Sequence, residues 1–83
     1  MISSDDLRLN NLDFLVFVAI VVTKSQVYKG SYLSFCSYTE LKGTKVEDVK
    51  ESLLRLQKNK LIHYYVDESD DNYFIAGTLH KVD

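Results

Sequence analysis

The chain has no proline, no tryptophan, one cysteine and three glycines in 83 residues. That leaves little material for linkers, so one domain over residues 1–83 is expected, with Met1 to Asp6 polar and frayed. A single Cys36 forms no internal disulfide, which fits a reducing compartment, and it reads as a small buried hydrophobe. There is no basic excess: 10 basic residues face 12 acidic ones, a net charge of −2, so any contact with nucleic acid must come from a local patch. There is no long apolar run either. The stretch Phe14 to Val22 is far short of the roughly 20 residues that span a bilayer. Asp5, Asp6 and Asp13 stand where an export signal needs positive charge, and a cytoplasmic location is expected. Catalytic signatures are missing too: no glycine-rich phosphate loop, no nucleophile beside a base, and no link between Cys36 and His63 or His80. Neither an enzyme nor a cofactor is expected. Asp67 to Asp71 lacks the glycine and the terminal glutamate of a calcium loop, so no metal is expected.

What is present is 46% hydrophobic residues with six tyrosines and four phenylalanines, ample for a globular fold, and the helices and strands read along the chain make the expected class α+β. Leu7 to Ser25 reads as a helix, with Asn10 or Asn11 as cap and Asp13 favoured by the helix dipole. Its valines and isoleucine suit a strand as well, but its length decides for helix. It is apolar nearly all round, which suggests a central core helix or a subunit interface.

Val27 to Gly30 reads as a connection, and the alternation from Ser31 to Ser37 as a short strand. Ser37 or Thr39 then starts a brief helix through Lys42, ended by Gly43. Thr44 with Glu47 three residues on has the spacing of a capping box. Between Lys45 and Lys60, Val46, Val49, Leu53 and Leu56 form one apolar stripe, with Glu47, Asp48, Glu51, Arg55 and Lys58 opposite and Glu51 to Arg55 a favourable pair. Leu61 to Val66 and Tyr73 to Leu79 read as the two strands of a hairpin around an acidic tip.

From Leu7 to Leu79, the order helix, short strand, short helix, helix, hairpin resembles the winged helix-turn-helix family. Closest in pattern are small DNA-binding domains of phage, plasmid and bacterial regulators and replication initiators. Ser37-Tyr38-Thr39-Glu40-Leu41 is similar to the S-Y-x-x-L opening of their second helix. Leu53, Leu56 and Lys58-Asn59-Lys60-Leu61-Ile62 look like the L-x-x-x-G-L-I passage into the wing, with Asn59-Lys60 in place of the turn glycine and Asn suited to the left-handed conformation. The span from Leu41 to Val49 is shorter than such domains use, which implies a stubby or rotated second helix.

The resemblance implies a DNA-binding transcription or replication regulator acting as a dimer, its third helix meeting base edges in the major groove. Tyr38, Lys42, Thr44, Lys45, Lys50, Arg55 and Lys58 are the candidate DNA-contacting residues. Phe14, Phe17, Val18 and Val21 are the candidate dimer contacts. Glu47, Asp48 and Glu51 stand on the reading face and repel phosphate, and a solvated helix with scattered lysines has the same composition. The alternative is a winged-helix module that reads no DNA and binds a protein through the first helix or the acidic wing. The tyrosines, as a set, suit base stacking or packing within the hairpin and core.

Overall fold

A computed structural model describes residues 9–38 and 41–79 of the chain. The expected fraying of Met1 to Asp6, and Thr39, Glu40 and His80, lie outside the described residues. Among the described residues the architecture is α+β, with three α-helices against one three-stranded antiparallel sheet.

The first helix, α1 (Asn11–Val21), starts where Asn10 takes an extended conformation and closes a capping box with Asp13. Asn10 Oδ1 accepts the Asp13 N–H at 2.9 Å, and an Asp13 oxygen accepts the Asn10 N–H at 3.1 Å. The cap and the burial of Val16, Ala19 and Ile20 along one side override the strand preference of so many β-branched residues. The helix is shorter than the expected 7–25. Thr23 donates its hydroxyl to the Ile20 carbonyl, and the turn Lys24–Gln26 then carries two left-handed residues, Ser25 and Gln26.

The segment after it departs from expectation. Val27–Ser31, of which Val27 to Gly30 reads as a connection, is strand β1, and Tyr32–Cys36, read as part of a strand, is helix α2. The alternation that suggested a strand also contains Tyr32 and Phe35, three apart, and these two bury together on one helical face. Ser31 caps α2 by accepting the Ser34 N–H, while Ser37, expected to open a helix, closes this one. Lys42 and Gly43 form a turn in which Gly43 has φ 87°, a conformation that favours glycine.

The long helix α3 runs Val46–Lys58 and buries Val49, Ser52, Leu53 and Leu56, with Val46 half-buried. The expected Thr44–Glu47 capping box is absent. Lys45 is the N-cap and makes no side-chain cap bond. That one-residue shift makes Glu47 the second helical residue, from which it cannot close a box. At the other end Leu61 N–H reaches Leu56 O and Lys60 N–H reaches Gln57 O, a Schellman closure. Lys60 (φ 61°), rather than the expected Asn59 (φ −82°), takes the left-handed position.

β2 (Ile62–Val66) and β3 (Tyr73–Thr78) form the expected hairpin, with β3 central between β1 and β2. Tyr28, Tyr64, Phe74 and Ala76 point inward from the sheet to meet Tyr32, Phe35, Leu41 and the stripes of α1 and α3. Tyr32 stacks on Phe74 with centroids 4.4 Å apart, and its hydroxyl meets that of Tyr64 at 2.6 Å. Each buried phenol thereby satisfies the other.

Candidate nucleic-acid interface

One polar contact in the core joins α3 to α1. Asp13, fully buried on α1, accepts Arg55 Nε and Nη2 at 2.9 Å each and the Ser52 hydroxyl at 2.5 Å. With the Asn10 N–H, both oxygens of the carboxylate are engaged. Burial alone raises the Asp13 pKa. The hydrogen bonds from Arg55, Ser52 and Asn10, with the charge of Arg55, outweigh it and hold the group below the ordinary carboxylate value. Arg55 is correspondingly raised, first by its hydrogen bond to Asp13 and with Glu51 adding attraction. The expected Glu51–Arg55 pairing thus gives way, and the ion pair of Arg55 is made with Asp13.

The residues singled out for DNA contact separate into three groups. Tyr38 is half-buried, edge-on to Tyr28 at 5.8 Å and tilted on Phe35 at 5.6 Å, and so belongs to the core. Lys50 and Arg55 lean to opposite flanks of α3. The Lys50 ammonium lies 4.9 Å from the Tyr32 ring centroid on the α2 side, and Arg55 turns to Asp13 on the α1 side. Lys42, Lys45 and Lys58 are exposed, with Lys42 and Lys45 in the approach to α3, Lys58 in its last turn, and Thr44 half-buried between the first two. Lys45, Lys50 and Arg55 therefore share no face. The solvent ridge of α3 runs through Glu47, Glu51, Leu54 and Lys58 at helical spacing, with Asp48 exposed beside it.

The wing tip is acidic, and part of that acidity serves the turn. Asp67 Oδ1 accepts the Ser69 N–H at 2.7 Å, and Asp70 Oδ1 accepts the Asn72 N–H at 2.9 Å. On α1, Phe14 (56% exposed) and Val18 (42%) face outward, together with Leu15 and Val22 (63%). Phe17 and Val21 are half-buried, and Phe17 packs against the core. Among the described residues, no group of histidines, cysteines or acids is arranged to hold a metal, and no helix is long and apolar enough to cross a membrane.

Sequence reading missed the Asp13–Ser52–Arg55 contact, although its phase was visible. Asp13 lies on the same side as Val16 and Ile20, and Ser52 lies among Val49, Leu53 and Leu56. Polar residues at two core positions on different helices are a reason to look for a partner. No family model, curated protein or solved structure matches this chain.

Proposed function

We propose that the chain is a small DNA-binding regulator of winged-helix type that acts as a dimer. The observation that supports this best is the mounting of α3. Its apolar stripe faces the core, Asp13 grips Arg55 on its α1 flank, and Lys42, Gly43 and Lys45 ahead of it are exposed. A helix anchored in the core on one side, with the other in solvent, meets the geometric requirement for entering a major groove. In this reading Lys42, Lys45 and Lys58 contact phosphates, Thr44 assists beside them, and Lys50 supplements them from its place over Tyr32. Arg55 has a positioning role, holding α3 through Asp13. The dimer contact uses Phe14, Leu15, Val18 and Val22, the outward side of α1, in place of the half-buried Phe17 and Val21.

A second reading has its own observation. The outward face of α1 is apolar and carries no charge, and the ridge of α3 carries Glu47 and Glu51. A protein-interaction module of the same fold would use that α1 face or the acidic wing and read no DNA.

Mobility-shift titration against the DNA flanking the coding sequence, at about 50 and 200 mM salt, separates the two. The first reading expects a sequence-selective shift that weakens steeply with salt and is lost in the Lys42→Ala/Lys45→Ala variant. No shift at low salt on any duplex would eliminate it. Light scattering on the purified chain tests the α1 contact: a dimer that Val18→Glu converts to monomer supports it, and a monomer at tens of micromolar excludes it.

A further inference from the structure

Of the face of the sheet turned away from the helices, only Asp67, at the base of the acidic wing, belongs to either reading. Strand register places Lys29, Ile75 and Tyr65 in one row across β1, β3 and β2, with Tyr73 two residues along β3 from Ile75 on the same face. Tyr65 is 59% exposed and Tyr73 47%. Between them lies a partly open cavity of about 80 Å³, bounded by Lys29, Tyr65, Asp67, Tyr73 and Ile75. His63 extends the surface, its ring nearly parallel to that of Tyr65 (14°) with centroids 6.1 Å apart.

We infer that this outer sheet face binds single-stranded nucleic acid, one base entering the slot between Tyr65 and Tyr73 while Lys29 contacts a neighbouring phosphate. Exposed aromatic rings on a sheet offer every base a stacking partner, and they do so without sequence selection. The lysine in the same row supplies the complementary charge for a backbone phosphate. A duplex keeps its bases paired and stacked and cannot present one to such a slot, whereas an unpaired strand can. At the hairpin end Asp67 sets a limit on pose. A carboxylate there repels a phosphate but accepts from the amino group of a base such as cytosine, so the base edge points toward the tip and the backbone toward β1.

The test is fluorescence anisotropy of an end-labelled, cytosine-containing single strand of about 12 nucleotides with the full chain. Binding at about 50 mM salt that weakens as salt rises is expected. Tyr65→Leu and Tyr73→Leu keep bulk on the sheet and remove the ring, and each should weaken binding by about 5- to 100-fold. Tyr65→Phe keeps the ring and should bind nearly as well as the wild type, and Lys29→Ala should lower the salt slope by about one. Far-UV circular dichroism confirms that each variant is folded. Absence of binding at low salt, or equal binding by the Tyr65→Leu/Tyr73→Leu double variant, would overturn the proposal. The mobility-shift titration on duplex reports on α3 and this titration on single strands reports on the sheet face, so the failure of either reading is distinguishable from failure of the other.

Discussion

α1 and α3 pack against each other and begin in opposite ways. α1 opens with two polar residues, Asn10 and Asp13, that close a capping box, and one of them continues into the core to hold Arg55. α3 opens with the sequence spacing of a box, Thr44 and Glu47, and has no side-chain cap at all. In α1 a single carboxylate serves as cap and as clamp. α3 depends on burial of its stripe and on that clamp. The stability of the pair is therefore concentrated at Asp13, while the start of α3 is left exposed, with lysines at Lys42 and Lys45.

Removing the clamp from the α3 side should have the largest effect. Arg55→Ala leaves a fully buried carboxylate without its cation, a change that costs about 3–5 kcal/mol, read from urea unfolding followed by circular dichroism at pH 7. Asp13→Ala should cost less, because Arg55, whose side chain is 24% exposed, can turn to water. The two changes together should cost less than their sum. Strict additivity would mean that the contact fixes nothing.

Acid probes the same carboxylate without mutation. In the wild type its folded pKa lies below the ordinary value of 3.8, so its contribution is fully present above about pH 4 and is lost as pH falls through the folded pKa. Without Arg55 two of the causes that lower the folded pKa are gone while desolvation remains, so the folded pKa rises and Asp13 in Arg55→Ala gives less stability at neutral pH that acid could remove. The gap between the two proteins should accordingly narrow between pH 7 and pH 3, and a constant gap would contradict the assignment.

Smaller effects belong to the helix ends. Asn10→Ala removes the acceptor for the Asp13 N–H and should cost about 1 kcal/mol. Lys60→Gly relieves a left-handed residue in the Schellman closure of α3 and should stabilise by about 0.5–1 kcal/mol in the same urea experiment. A destabilising Lys60→Gly would show that the lysine side chain does more than occupy the turn.

Periodicity revealed much of this fold. The stripe Val49, Leu53, Leu56 and the two hairpin strands lie where spacing places them, because patterns of 3.6 and 2 follow directly from which side faces the core. The region 27–37 did not yield, since Tyr32 and Phe35 satisfy both an alternating and a helical pattern over so short a span. The site was less legible than the fold. Lys42, Lys45 and Lys58 are exposed as expected, but Arg55, Lys50 and Tyr38 are engaged by Asp13, by the Tyr32 ring and by the aromatic core. Those engagements join segments 42, 18 and 10 positions apart in sequence. The pairing between distant segments is carried by the tertiary fold, and no local pattern encodes it.

The start of α3 gives the sharpest small test of phase. If Lys45 is the N-cap, Thr44→Ala removes no cap bond and should change stability by less than about 0.5 kcal/mol. Lys45→Ser, in contrast, places a hydroxyl where Asp48 stands three residues on, creating a Ser-x-x-Asp start, and should stabilise by about 0.5–1 kcal/mol. A cost of 1 kcal/mol or more for Thr44→Ala would move the helix start back by one residue and restore the Thr44–Glu47 box. The same Lys45→Ser protein, tested on duplex DNA, should bind more weakly while folding more stably. That inverse relation is what an exposed lysine at an uncapped helix start predicts if it is kept for phosphate rather than for the helix.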